Sequence, residues 1–310
     1  MRAIVDSGVR HAVVVGSGYI GLEMAEALHR RGMQVCVIDH SQQPMNTLDP
    51  EMGALVADAI RALGIELHLG VEVEAFASDS DGRVNAVHTD RGVFPADLVV
   101  LGLGVRPASG LAAAAGLAVG TTGGIVTDAR MATSVEGIWA AGDCVEVFHR
   151  VSRAPAAIAL GTHANKQGRV VGVNATGGSR TFPGVIGTAV TKLCEVEVGR
   201  TGLTEREARA AGVVAGADTI VSTTRAGYYP GSAPITVKLV AEQPTGRLLG
   251  GQVIGREGAA KRIDMLAVAI WNEMTAAEFA MVDIGYAPPF SPVFDPVLIA
   301  AHRLATKVDG

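Results

Sequence analysis

The stretch "VVVGSGYIGLEMAEAL", Val13 to Leu28, contains the change of pattern on which the fold reading turns. A short apolar run, His11 to Val15, enters Gly16-Ser17-Gly18-Tyr19-Ile20-Gly21, after which Ile20, Met24, Ala25 and Leu28 recur at helical spacing as far as Gly32. The order is strand, glycine turn, helix. Gly16 permits the tight turn, Gly18 lets the backbone approach a pyrophosphate, and Gly21 lets the helix pack closely against the strand. The helix N-terminus then faces the anion.

Such a glycine loop is weak evidence alone, and its surroundings strengthen it. A second buried strand, Gln34 to Ile38, follows the helix stop at Gly32, and Asp39 closes it where an acid accepts hydrogen bonds from a ribose 2′-hydroxyl. This favours NADH. NADPH stays open, because Arg30, Arg31 and His40 lie near, although "HSQQPM" (residues 40–45) lacks the arginine expected for a 2′-phosphate. The plainer alternative for Asp39 is a solvated acid at a strand end.

Working outward, "MGALVADAIRALGIELHLG" (52–70) reads as helix, turn at Gly64 and strand. Val71 to Ala77 and Val84 to Val87 read as paired strands around an Asp81-Gly82 hairpin turn, and Asp97 to Leu101 as another strand ahead of Gly102, Gly104 and Arg106-Pro107. Strands are expected at Gly124 to Thr127 and Gly137 to Ala141, and an amphipathic helix from about Thr162 to Val173. After "NATGGSRTFPG", strands alternate over 188–193, 195–199, 218–223, 235–240 and 248–254, with helices at "TEREARAAG" and 258–272. That pattern indicates an antiparallel sheet backed by helices.

The chain of 310 residues is long enough for two or three domains, and 48% hydrophobic residues with 39 glycines suit a globular α/β protein. A net charge of −5 gives no overall pull toward nucleic acid or anionic lipid, so neither partner is expected. The longest uncharged stretch, Pro107 to Thr127, is broken by five glycines and a proline and reads as loop and helix, not a membrane span. The N-terminus lacks the pattern of a secretory signal, and the cytoplasm is the default expectation. Cys36, Cys144 and Cys194 form no CxxC pair and read as reduced structural thiols, Cys144 being the one worth testing; the eight histidines show no metal-ligand spacing, so no metal is expected.

With "GLGVRP", "TSVEGIWAAGDC", "ANKQGRVVGVNATGG", "AGYYPGSAPITVKL" and "GYAPPFSPVFDP" following the glycine loop in this order, the chain resembles the FAD-dependent pyridine nucleotide-disulfide oxidoreductases. The likeness is to their coenzyme A disulfide reductase, NADH oxidase and polysulfide reductase branch. It implies a Rossmann-like NAD domain at 1–106, the C-terminal part of an FAD domain at 107–180, and an α+β dimerisation domain at 181–310. It also implies hydride transfer from NADH to FAD, then electron transfer to a disulfide, persulfide or oxygen acceptor, in a homodimer. The family's first FAD loop and redox cysteine have no match here, so the chain is expected to be truncated. The alternatives are a catalytically silent NADH-binding and dimerisation module, or one half of a split flavoenzyme whose FAD half is encoded separately.

The resemblance assigns dinucleotide contacts to Gly16, Gly18, Tyr19, Ile20, Gly21, Glu23, Asp39 and Gly104. Tyr19 gates access to the flavin, and Glu23 helps orient the nicotinamide or, more plainly, is a first-turn acid suited to the helix dipole. Flavin contacts fall on Gly142, Asp143, Gly161 and Thr162: Asp143 toward the ribityl chain, and the helix opening at Gly161-Thr162 toward the flavin, whose reduced anion its N-terminus favours. Tyr228 and Tyr286 match tyrosines that reach the partner subunit's active site near the coenzyme A disulfide, with interface packing as the alternative. Lys261-Arg262 reads as a solvated helix start, with coenzyme A phosphates as the other possibility. The usual C-terminal His-Glu pair of the dithiol enzymes is replaced by "YAPPFSP", which points to the single-cysteine branch.

Overall fold

The computed structural model describes residues 8–308. The reading of the first seven residues as free of a secretory signal lies outside that range. The opening pattern produces β1 (His11–Val15), α1 (Tyr19–His29), β2 (Gln34–Asp39), α2 (Pro50–Ala62) and β3 (Glu66–Leu69). A meander follows, β4 (Val73–Ser78), β5 (Val84–Thr89) and β6 (Gly92–Pro95), and then β7 (Leu98–Leu101). β1, β2, β3 and β7 form a parallel sheet in the order β3-β2-β1-β7. Its two faces are covered differently. Ala12 and Val14 of β1 point with Val35 and Val37 toward Leu22, Ala25 and Leu28 of α1 and Met52, Val56 and Ile60 of α2, while Val13, Val15 and Ile38 meet Val87 and Ala96 of the meander. Both faces are therefore dry, which is why these strands are continuous apolar runs. Each such aliphatic side chain contributes about 1.5–3 kcal/mol on burial.

The middle segment holds α3 (Gly110–Ala114), β8 (Val147–His149), β9 (Ala154–Ala156) and α4 (Gly161–Ala175). The strands expected at 124–127 and 137–141 are not formed. Ile125 makes single bridges to Val119 and Val145, and Trp139 one to Ala132. The reason is local: a tight turn closes Gly120 onto Gly124, and the Asp128 carboxylate accepts from the Arg130 and Ala132 amides, so turns cut each apolar run before a ladder can extend.

The last part is a five-stranded antiparallel sheet in the order β10-β11-β14-β13-β12. Its strands are β10 (Ala189–Leu193), β11 (Val196–Gly202), β12 (Ala215–Thr223), β13 (Pro234–Glu242) and β14 (Leu248–Gly255); its helices are α5 (Glu205–Ala210), α6 (Ala259–Trp271), α7 (Ala276–Ala280) and α8 (Pro296–Val308). α6 and α8 bury Ile263, Leu266, Ile270, Val297, Ala301 and Leu304 against Val237, Leu239 and Val253 of the sheet. The other face belongs partly to the first sheet's core: Leu193, Val198 and Ile254 pack in one cluster with Leu22, Met52 and Val56. The fold is thus mixed α/β, a parallel Rossmann-like layer followed by an antiparallel sheet and its helices. Among the described residues no helix is long and apolar enough to cross a membrane.

Candidate functional site

A crevice of about 490 Å³ opens at the carboxyl ends of β1 and β2, the position at which open α/β sheets bind ligands. Gly16, Gly18, Tyr19, Asp39, His40 and Asn46 are among its lining residues. The three glycines have separate geometric reasons. Gly16 has φ +100°, and a Cβ there would stand 2.3 Å from the Gly102 carbonyl oxygen. A Cβ on Gly21 would meet the Gly16 carbonyl oxygen at 1.9 Å. A Cβ on Gly18, which has φ −78° and is half-buried, would meet nothing within 4 Å, so free space lies in front of its backbone. The first two glycines let the chain fold on itself; the third leaves room for something else. Gly102, whose ideal Cβ would lie 3.1 Å from the Gly21 Cα, belongs to this packing as well, a role that its place after a strand does not display in the sequence.

Helix starts differ in how they are closed. α2, α3 and α6 lack a side-chain cap, although α2 has Glu51 in its first turn and the Ala260 amide of α6 donates to Glu197 Oε2 at 2.9 Å. α5 and α7 are closed by complete capping boxes, Thr204 with Glu207 and Thr275 with Glu278. α1 and α4 have no side-chain cap and no acid in their first turns, beginning instead after Gly18 and Leu160. Their first amides and positive dipole ends are thus available to an anionic ligand. In the first crevice this fits a dinucleotide pyrophosphate.

Asp39 is buried, and its Oδ2 accepts from the Ser17 amide (2.6 Å) and hydroxyl (2.5 Å) while Oδ1 accepts from the Ser41 amide (2.8 Å). Burial pushes the carboxyl pKa upward, but the Ser17 and Ser41 hydrogen bonds outweigh it and hold the group below the ordinary value. Asp39 therefore sits in the crevice as an anion, hostile to a second negative charge. Arg30 is at the far end of α1, paired with Glu26 at 2.8 Å, and His40 lies 3.4 Å from Asp39. Tyr19 is half-buried; burial raises its pKa, opposed by a side-chain hydrogen bond with Thr47 and the nearby Arg200 charge. Glu23 is the fifth residue of α1, beyond its acid-free first turn, so the expectation of a first-turn acid is corrected; it does not line this crevice but accepts from Thr191 of β10 at 3.0 Å. Ile20 is exposed, and Gly104, at φ +83°, has open space around it.

The second set gathers where α4 begins. The Gly142 amide donates to Gln167 Oε1 at 2.7 Å, which ties the turn carrying exposed Asp143 to the helix. Gln167 is buried, yet its Nε2 has no hydrogen-bond partner. Gly161 and Thr162 are exposed at the uncapped helix start. An open helix end, a free carboxylate and an orphaned buried amide fit a flavin's phosphate-free end.

Tyr228 and Tyr286 are brought together: the neighbouring Tyr228 phenol raises the Tyr286 pKa. Their loops are gripped by Arg262, whose Nη2 donates to the Thr224 and Phe290 carbonyls and whose Nε donates to both Asp295 oxygens. The expectation of a solvated helix start is corrected here. Lys261 is exposed beside Asp264, but Arg262 is buried, because the loops before and after its helix close over it.

Cys144 is half-buried, its thiol donating to the Ala141 carbonyl, and Cys194 sits in the β10–β11 turn at φ +51° beside the Arg30 guanidinium. Cys36 is not sealed in the core. It is half-buried on β2 opposite Glu66, and with His68 the three donor atoms lie within 4.8 Å of one another, a grouping made by strand register that sequence spacing does not display. Burial first, and then Glu66, push the Cys36 thiol up to about 12, so it holds its proton at neutral pH. A larger cleft of about 1010 Å³ runs along the outer side of β7 past Arg10, Phe76, Arg83 and Asp97, with neither the glycine loop nor an uncapped helix start in its lining.

The profile of the pyridine nucleotide-disulphide oxidoreductases matches residues 2–168, and that of their dimerisation domain residues 188–297. The chain belongs to this family. It is 39% identical over 297 residues to the NAD(P)H sulfur oxidoreductase (CoA-dependent) of Pyrococcus furiosus, covering 96% of this chain and 66% of that one. The NAD-dependent persulfide reductase from A. fulgidus superposes with a TM-score of 0.95 at 41% identity, covering 100% of this chain and 57% of that one. The water-forming NADH oxidase from Lactobacillus brevis, solved with NADH bound, gives 0.91 at 30%, covering 99% and 68%. The chain thus spans a little under two thirds of the length of the curated relative it matches.

Proposed function

We propose that this protein acts as an NADH-dependent, FAD-containing oxidoreductase of the coenzyme A disulfide reductase type, working as a cytoplasmic homodimer. A disulfide or persulfide, free or on coenzyme A, is the acceptor we favour over oxygen. We divide the chain into an NAD domain (1–106), an FAD-domain portion (107–180) and a dimerisation domain (181–310). The observation that carries the reading is the crevice in which Gly18 leaves its backbone open, α1 offers an uncapped N-terminus, and Asp39 stands as an anion at the next strand end. The names of the relatives support it: sulfur and persulfide reductases, and an oxidase solved with NADH.

In this reading, the α1 amides hold the pyrophosphate and Asp39 Oδ1 accepts from the ribose hydroxyls, which disfavours a 2′-phosphate. Tyr19 covers the inner end of the crevice until the nicotinamide enters. Gly142, Asp143, Gly161 and Thr162 hold the flavin, and Gln167 keeps Asp143 aimed. FAD, when bound, accepts hydride from NADH and passes an electron pair to the acceptor. The Tyr228 and Tyr286 hydroxyls hydrogen-bond the acceptor's sulfur in the partner subunit's site.

The experiment is spectroscopic, on purified full chain. Yellow protein bleached by NADH, with bleaching lost in Gly18→Val, supports the enzyme. Colourless protein that binds NADH supports the silent module, and colour gained only with a separately produced FAD segment supports the split form. Absence of NADH binding overturns all three.

A further inference from the structure

The crevice is not walled by its own domain alone. One wall is the loop Met45-Asn46-Thr47, and two guanidiniums from beyond residue 188 reach its main chain. Arg200 Nη1 donates to the Thr47 carbonyl at 2.5 Å, and Arg206 Nη2 donates to the Asn46 carbonyl at 2.8 Å. Arg200 cannot swing away. It is buried on β11, its other donors fixed by both Glu207 oxygens (3.2 and 2.8 Å) and the Gly202 carbonyl (2.6 Å). Thr47 and Tyr19 line the same crevice, and Tyr19 lies in the fields of Arg200 and Glu207. Thr191 of β10 meanwhile holds Glu23, one turn along α1.

Docking of the two sheets has separate fastenings. The Asp49 amide and carboxylate pair with Gln252 (2.8 and 2.6 Å), and the carboxylate pairs with Lys238 (3.0 Å). The sheets thus have docking contacts besides the arginines, whose targets are carbonyls of the crevice wall itself.

We propose that Arg200 and Arg206 are positioning residues for the dinucleotide: from the antiparallel-sheet domain they hold the Asn46-Thr47 wall, and through Thr47 the Tyr19 ring, in the nucleotide-accepting arrangement. This rests on the nucleotide reading of the crevice. A free wall must be ordered at the moment of binding, and that cost appears as weaker affinity. Through these contacts, movement of the last domain is felt in the crevice.

The test is calorimetric titration of the full chain with NADH, with thermal unfolding measured on the same samples. Arg206→Ala, at an exposed position, is expected to weaken NADH roughly fivefold with little change in unfolding temperature, and Arg206→Lys to recover most of the loss. Arg200→Lys, which keeps the charge but loses the fork, is expected to weaken it about tenfold. If Arg200→Lys does not fold, the Arg206 pair decides. Wild-type protein that binds no NADH would sink the nucleotide reading and this inference with it. Wild-type binding with both folded variants within about twofold of it would overturn this inference alone.

Discussion

Tyr286 and Tyr228 stand as neighbours across two loops that the sequence keeps far apart, and the proximity of Tyr228 raises the Tyr286 pKa. The Ala226 amide donates to the Pro288 carbonyl at 3.2 Å, which brings the loops together, and the neighbouring Tyr228 phenol favours the protonated form of Tyr286. Tyr228→Phe should therefore return the Tyr286 pKa toward the ordinary tyrosine value of about 10. With four tyrosines in the chain, ultraviolet difference titration of tyrosinate resolves this; an unchanged curve would show that the phenols are uncoupled in solution.

The grip on these loops depends on one buried ion pair. Arg262 and Asp295 lie 2.9 Å apart with side chains 5% and 7% exposed, and Ser291 also donates to Asp295 at 2.9 Å. Arg262→Met leaves a carboxylate with too few donors in a dry site, and a loss of about 3–5 kcal/mol is expected in urea unfolding. A milder loss, below about 1 kcal/mol, would mean that water reaches Asp295.

Gly18 and Gly21, three residues apart, should answer the same substitution in opposite ways. Gly21→Ala drives a methyl into the Gly16 carbonyl oxygen and is expected to cost about 2–4 kcal/mol. Gly18→Ala meets open space at an ordinary φ, so stability should stay within about 0.5 kcal/mol while NADH affinity falls at least about tenfold. Denaturant unfolding and NADH titration on both proteins separate the roles. Equal stability losses would mean that Gly18 serves the fold and not a ligand.

That contrast marks how far the sequence can be read. The first layer is legible because each of its elements is local: β1, the glycine turn, α1 and the acid at the end of β2 follow in order, and the paired tyrosines stand out by motif. What stays hidden is long-range. The partners of Asn46, Thr47 and Glu23 lie beyond residue 188, the burial of Arg262 depends on loops around Thr224 and Phe290, and Cys36 meets Glu66 and His68 only through strand register. The short runs at 124–127 and 137–141 mislead because periodicity cannot show that flanking turns cut the ladder. α8, over Pro296–Val308, has no glycine turn or sequence motif to announce it, although Val297, Ala300, Ala301 and Leu304 line up on its buried face.

Asp39 gives a prediction in acid. Its folded pKa lies below the unfolded value of about 3.9, so its stabilising contribution is complete above that value and is lost as pH falls through the folded pKa. Asp39→Asn replaces an anion that accepts from Ser17 and Ser41 by a neutral amide, and should cost about 1–3 kcal/mol near neutrality. The gap between the two proteins should close in acid. A gap that persists there would assign the loss to packing instead of charge.

Lys238 gives the opposite dependence. Its ammonium is buried between the two sheets, 3.0 Å from Asp49 and 2.5 Å from Glu205, with Glu51 as a third partner. Burial lowers its pKa, but hydrogen bonds to Glu205, Glu51 and Asp49 outweigh this and raise it above the ordinary value. A raised folded pKa means that the contribution is fully present below the unfolded value of about 10.4 and disappears as pH rises through the folded one. Wild-type protein should therefore lose urea resistance in strong alkali. Lys238→Arg, whose charge persists there, should lose less if the guanidinium can be seated. Lys238→Met strands the Asp49 carboxylate, whose side chain is 3% exposed, with Gln252 and the Glu205 amide as its remaining donors, and should cost about 3–5 kcal/mol at neutral pH. Because Asp49 stands directly before the helix that follows the crevice wall, that variant should also weaken NADH binding, whereas a variant that unfolds earlier but binds NADH normally would separate docking of the sheets from the shape of the crevice.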